Sequence, residues 1–287
     1  MKKGFVSLVL ISLVFYYLLI SSLFFTGCQT VDLPKEKYYQ FYSKSNVIIK
    51  KDSILCSLNN PLNCPLRFYI STSDDNLNKS LQALNPVVVS CKKDTVIKIK
   101  IYGKSNNLIP SWKTVLGDPN NKIFYNKVSL PFCKGKSYKV IQGYNGWFFH
   151  NTDYLRNSID FGLKINDTIC AADDGFVVGV VKDYKIGGSD KRLEPFANFI
   201  TIYHPQTGLF TQYVHLKYNG SLVKVGDIVK QGQAIGLVGL TGRTSIEHLH
   251  FNVLIPIENE DGLKSMPIEF IENYRGKDIS NNSVVKK

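Results

Sequence analysis

Apolar and polar positions alternate with a period of two through most of the chain. The alternation is clearest over 95–102, where Ile97, Ile99 and Ile101 share one face and Lys98 and Lys100 the other, the pattern of a half-buried strand. Runs of the same kind cover 46–50, 66–71 and 86–91. Between them, Ser73-Asp74-Asp75-Asn76 and Gly117-Asp118-Pro119-Asn120-Asn121 carry the residue types of turns. Together they predict a small antiparallel β-sandwich over 46–135. From residue 136 onward the strands are separated by glycine turns at Asp174-Gly175, Val225-Gly226-Asp227 and Lys230-Gln231-Gly232. No stretch there sustains a helical period, so 136–275 is expected to be a second β domain, followed by a polar tail over 276–287. The predicted class is all-β. Residues 185–195, polar and carrying Gly187-Gly188, interrupt two strands and read as a surface loop that edges a groove.

The first 28 residues break this pattern. Lys2 and Lys3 precede an uncharged apolar run over 5–25, which ends at Thr26-Gly27-Cys28. A basic start, an apolar stretch and a small residue before a cysteine resemble a bacterial lipoprotein signal, with Cys28 becoming the acylated first residue and lipid anchor. Phe25 stands three residues before the cysteine, where such signals usually carry Leu. The same run is nearly long enough to span a bilayer, so a plain transmembrane anchor is the other reading. Both place the remainder outside the cytoplasm, held to a membrane by a tether over 29–45. Gln29 after the cysteine is compatible with sorting to an outer membrane.

An exported chain meets oxidising conditions, in which cysteines pair. Of the five beyond Cys28, Cys56 and Cys64 flank a Leu-Asn-Asn-Pro turn and are the expected bridge, whereas Cys170 lies in an apolar strand pattern and reads as a small buried hydrophobe. No Cys-x-x-Cys spacing points to thiolate-bound zinc. The formal charge of +12 is concentrated in residues 31–135, which carry a net +9 against +1 for 136–287. A basic exported surface suits anionic polymers or lipid headgroups, and a solvated lysine-rich face is the plainer reading. No nucleic-acid-binding motif is present, and the exported address argues against such a partner.

The chemistry gathers near Glu247-His248-Leu249-His250-Phe251. On a strand, residues 248 and 250 face the same side about 6.5–7 Å apart. Two imidazoles in one space suit a divalent metal, usually zinc, or a ligand beside a proton-handling partner. His215 lies in Gln212-Tyr213-Val214-His215-Leu216, and His150 precedes Ser158-Ile159-Asp160-Phe161-Gly162. The fifth histidine, His204, stands in Ile202-Tyr203-His204-Pro205 and is expected to be structural.

These stretches share an order with Gln142-Gly143-Tyr144-Asn145-Gly146, Ala171-Ala172-Asp173-Asp174-Gly175, Val225-Gly226-Asp227 and Gly239-Leu240-Thr241-Gly242-Arg243-Thr244. From about residue 142 to 270 the chain resembles the zinc metallopeptidases of the lysostaphin and LytM type, peptidase family M23. The resemblance implies an antiparallel β-sheet of the hybrid-barrel kind, Asp160 and His250 as metal ligands, and His215 and His248 as the catalytic pair that orients water and steadies the oxyanion. Many relatives place their first ligand four residues before the aspartate, where this chain has Arg156. Others place it farther upstream, after a Gln-Gly-Tyr/Phe-Asn-Gly stretch, and His150 matches that version as the third ligand. Two histidines and a carboxylate leave a zinc position open, as in catalytic sites. The implied function is zinc-dependent cleavage of peptide cross-links or bridges in bacterial peptidoglycan by a membrane-anchored envelope protein. A degenerate, non-catalytic relative that activates other wall hydrolases is the alternative. The glycine-turn style is shared with lipoyl and biotinyl carrier barrels, a reading that leaves the histidines idle.

Overall fold

β-branched and aromatic residues at every second position build a structure made almost entirely of strands. A computed structural model describes residues 32–101, 109–146, 152–259 and 261–287; the signal-like run, Cys28 and His150 lie outside them. The amino-terminal strands are β1 (Asn46–Ile49), β2 (Ser53–Asn59), β3 (Leu66–Ser71), β4 (Val87–Val89), β5 (Asp94–Lys100) and β6 (Ser111–Leu116). They form two three-stranded antiparallel sheets, ordered β1-β2-β5 and β4-β3-β6. On β5 the expected faces appear: Ile99 is buried and Lys98 and Lys100 are exposed.

The Ser-Asp-Asp-Asn cluster, expected as a turn, instead starts a helix, α1 (Asp75–Gln82). Asp74 is its N-cap, its carboxylate accepting the Leu77 N–H at 2.9 Å, and this satisfies a donor that the first helical turn leaves unpaired. Leu77 and Leu81, one turn apart, are buried. Two apolar positions are too few to announce a helical period, whereas the cap residue types are shared with turns.

The carboxy-terminal strands are β7 (Ser137–Gln142), β8 (Ile159–Phe161), β9 (Thr168–Cys170), β10 (Gly175–Val181), β11 (Gly187–Gly188), β12 (Phe199–His204), β13 (Leu209–Val214), β14 (Leu216–Ser221), β15 (Ile228–Val229), β16 (Ala234–Val238), β17 (Gly242–Arg243), β18 (Leu249–Pro256), β19 (Leu263–Ser265) and β20 (Val284–Lys286). A nine-stranded sheet runs β15-β10-β12-β13-β18-β8-β7-β20, with β19 added to β18. It is an open path, and no closed barrel forms among the described residues. A small sheet β14-β16-β9 lies beside it in the chain order.

The large sheet divides its residues by pleat. Ile200, Ile202, Tyr213, Phe251, Val253, Ile159 and Phe161 belong to one buried cluster with Phe132 and Phe270. A second cluster joins the halves of the chain: Ile54, Cys56, Leu66, Phe68 and Leu81 pack with Val178, Tyr203, Phe210 and Leu254. Residues 34–287 accordingly cluster as one unit. Arg67, fully buried on β3, crosses the same seam. Its guanidinium donates to the carbonyls of Gly117 at 2.9 Å, Leu116 at 3.2 Å, Ile257 at 2.5 Å and Gly262 at 2.8 Å. Cys56 and Cys64, expected to be bridged, are separate buried thiols: Cys56 points from β2 into the second cluster, and the carbonyl of Cys64 accepts from the Asn60 side chain.

Two further features lie near the rim of the large sheet. The tether segment docks on it: Val180 N–H donates to the Gln40 carbonyl at 2.9 Å, and the Tyr184 hydroxyl accepts from Tyr38 N–H at 3.0 Å, with the two rings edge to face. The polar segment 185–195 is ordered by a parallel pairing of β11 with β17, followed by a short 3-10 helix over Lys191–Phe196. Glycine makes that pairing possible. A Cβ at Gly187 would lie 1.6 Å from the Leu240 carbonyl oxygen, and Gly242 holds φ +80°.

Candidate active site

The face of the large sheet opposite the core lines a cavity of about 880 Å³. Register builds its floor. Val214 on β13, His250 on β18, Asp160 on β8 and Gln142 on β7 are consecutive cross-strand partners, so their side chains stand in one row across the sheet. A second row holds Thr201, Gln212 and Asn252. There the Gln212 amide donates to Thr201 Oγ1 at 3.3 Å and accepts from the Tyr154 hydroxyl at 3.0 Å. His248 enters from the residue just before β18, and His215 from the bend between β13 and β14. The walls include Gln40 and Lys113 from the amino-terminal half, and Lys191, Glu194 and Arg243 from the glycine-paired segment. The segment 185–195 thus edges the groove, as its composition predicted.

Four expected residues come together. Asp160, His248 and His250 are 6%, 8% and 7% exposed, and the His215 ring lies 4.7 Å from that of His248 and 6.2 Å from that of His250. His250 Nδ1 stands 2.8 Å from Asp160 Oδ1, and His248 Nε2 stands 3.8 Å from the same oxygen. Two backbone carbonyls set the other tautomers. His215 Nδ1–H donates to Thr241 O at 2.8 Å, and His248 Nδ1–H donates to Ile246 O at 3.0 Å. A carbonyl only accepts, so each ring carries a proton on Nδ1, and in the neutral form Nε2 keeps the lone pair. Burial, followed by the neighbouring rings of His248 and His250, lowers the His215 pKa to about 3, so that imidazole is neutral at ordinary pH. His215 also holds φ +67°, a left-handed backbone that side chains rarely adopt and that concentrates at functional sites.

The donor set of the site suits zinc in its chemistry. It has one carboxylate and imidazoles and no thiolate, the donor types of catalytic zinc. Two ligands about 2.0–2.1 Å from a tetrahedral ion lie about 3.3 Å apart; Asp160 Oδ1 and His250 Nδ1, at 2.8 Å, need to open by about half an ångström. Among the described residues no group of three or more His, Cys, Asp or Glu is spaced to hold a metal, and the expected third ligand, His150, lies outside them. The residues present fit the ion as a partial set. Arg156, four residues before Asp160, is half exposed and paired with Asp153 at 2.9 Å. His204 is buried with both nitrogens satisfied, by Asp174 O at 2.8 Å and Thr211 Oγ1 at 2.9 Å, as expected of a structural histidine.

The residue pattern does not single out Thr241 and Ile246, because a backbone carbonyl orients a ring whatever its side chain. Gln142 enters the pattern only as the start of a glycine-rich stretch. It is 9% exposed, stands opposite Asp160, and its side chain lies against Gly146, where a Cβ would come within 2.4 Å of Gln142 Cδ.

Residues 154–263 match the family described as peptidase family M23. Among curated proteins, the chain is 37% identical over 114 residues to peptidoglycan DD-endopeptidase ShyB of Vibrio cholerae, a match covering 39% of this chain and 24% of that protein. It is 28% identical over 213 residues to an uncharacterized metalloprotease of Buchnera aphidicola, covering 64% of this chain and 53% of the relative. The chain therefore spans from a quarter to about half the length of these relatives. Among solved structures, the catalytic domain of lysostaphin from Staphylococcus simulans aligns at 25% identity with a TM-score of 0.33, over 46% of this chain and 88% of that one. Over residues 154–263 this chain carries a peptidase family M23 domain.

Proposed function

We propose that the protein is a zinc-dependent endopeptidase that cleaves peptide cross-links or bridges of bacterial peptidoglycan, anchored at the envelope through Cys28. The observation that carries this reading is the meeting of Asp160, His248 and His250, all buried, with the half-buried His215 in one groove wall. The M23 domain and the peptidoglycan endopeptidase named among its relatives support the substrate class.

Asp160 and His250, with His150, would hold the ion. Bound zinc supplies Lewis acidity, which activates water near neutral pH and polarises a carbonyl. His248 and His215 work on the proton. Each has Nδ1–H fixed on a carbonyl, which turns Nε2 to the reacting groups: His248 takes a proton from the attacking water, returns it to the leaving amine and as imidazolium steadies the developing oxyanion, while His215, whose ring burial keeps neutral, accepts a hydrogen bond from that water and orients it. Burial makes each of these interactions stronger than in water. The groove beyond, walled by Lys113, Lys191 and Arg243, receives the peptide on either side of the scissile bond.

The test is the zinc content of the purified full chain together with release of peptides from isolated peptidoglycan. Equimolar zinc with peptide release is expected. A wild type without metal under zinc-replete conditions, and without hydrolysis, removes this reading in favour of an anchored activator of other wall hydrolases.

A further inference from the structure

Two cysteines meet at a place that the active-site chemistry does not use. Cys170 ends β9 and is 1% exposed. An isolated bridge between Phe132 and Ile169 sets 131–133 antiparallel to β9, and Cys170 N–H donates to Pro131 O at 3.0 Å. The Cys133 and Cys170 Sγ atoms lie 3.4 Å apart, in contact but unbonded. Cys56 and Cys64 are sealed in the core, and Cys91 is exposed.

We propose that Cys133 and Cys170 are a modification site, oxidised to a disulfide by a protein or small-molecule disulfide in an oxidising compartment. The bond closes the loop 133–170, which carries β7, β8 and Asp160. The sulfurs must approach by about 1.4 Å to reach a bond of about 2.05 Å. Cys133 is placed to supply that movement, because it leads into the exposed Lys134-Gly135-Lys136 turn, whereas Cys170 is fixed within a strand pairing.

Accessibility sets the order of steps. Cys133, the half-buried sulfur, attacks as thiolate on one sulfur of the oxidant, breaking its S–S bond and forming a mixed disulfide. The displaced sulfur leaves as a thiolate and takes up the proton that Cys133 released. Burial raises the Cys170 thiol to about 12, so Cys170 remains protonated until this stage. It then gives its proton to solvent base, attacks Cys133 Sγ and expels the oxidant's second sulfur as a thiolate, which is protonated in turn. Two electrons pass from the cysteine pair to the oxidant, and one disulfide replaces another.

The experiment uses the full chain, purified under reduction and then exposed to oxidised glutathione without denaturant. Digestion without reductant should yield one linked peptide pair containing Cys133 and Cys170. The oxidised protein should melt about 5–15 °C above the reduced protein, given a closed loop of this length in a chain of this size. Cys133→Ser should lose both the link and the oxidant-dependent shift. Recovery of Cys133 and Cys170 as separately alkylated thiols, or as two glutathione adducts, would overturn the proposal on the wild-type protein without reference to any variant.

Discussion

His215 combines a left-handed backbone with a neutral ring fixed on Thr241, and the two properties separate by mutation. An alanine there keeps the backbone strain, which costs about 1 kcal/mol or more for a residue with a Cβ, and glycine removes it. His215→Gly should therefore be more stable than His215→Ala by about 1 kcal/mol in urea unfolding, reversing the usual order, while both lose activity. Equal stabilities would mean that the bend is not held by residue 215. Metal and rate separate the other site residues. Asp160→Ala, His250→Ala and His150→Ala should lower zinc content and abolish hydrolysis together, because two side chains rarely hold a catalytic zinc against solvent. His215→Ala and His248→Ala should keep much of the metal and lose roughly 100-fold or more in rate, and Arg156→Ala should be mild. Full activity in His150→Ala would remove it from the ligand set. Much of this wall was legible because a His-x-His on a strand and an Ile-Asp-Phe strand carry their chemistry in side-chain identity. The carbonyls that orient the rings, and the row joining Gln142 to Asp160, come from backbone and register, which leave no mark on residue type. The Cys56–Cys64 expectation failed for a related reason: closeness in sequence placed them near a turn, and the pleat then aimed Cys56 into a core.

At the scale of elements, the strands with clean alternation were readable and the pairings between them were not. β2, with Ile54, Cys56 and Leu58 buried at every second position, follows the same rule as β5 but was masked by the turn residues beside it. Helix α1 shows the opposite case, where its Asp cap looks like a turn and its two leucines are too sparse to declare a period. Least visible was the role of β3. Arg67 reads in the sequence as one more positive charge on a strand, yet it is fully buried and donates to four carbonyls on segments as distant as Gly262. Arg67→Met should leave those acceptors buried without a donor and cost about 3–5 kcal/mol, read as a fall in the urea midpoint with an unchanged slope. A loss below about 1 kcal/mol would show that water replaces the guanidinium.

For the whole molecule, the basic amino-terminal half shares a core with the peptidase sheet. Deleting it to test the role of its charge would strip Phe68 and Leu66 from Phe210 and Leu254. Surface substitution is the sound test: Lys50, Lys51, Lys98 and Lys100 are all exposed, and changing them to Gln should weaken binding to isolated envelopes and flatten its dependence on salt, whose screening length is about 8 Å at physiological strength. Unchanged binding would leave these lysines as a solvated face. The docking of Tyr38 and Gln40 on the sheet rim also fixes a length. On the proposal that Cys28 is acylated, nine residues, 29–37, separate the lipid from Tyr38, and a chain of that length spans at most about 3.3–3.6 Å per residue, a leash of roughly 30 Å. On that same proposal, the groove would reach only the layer of wall nearest the membrane. Inserting twenty glycine and serine residues after Gln29 should widen that zone and increase peptide release from intact cells, while Cys28→Ser should remove the leash and its dependence on length together.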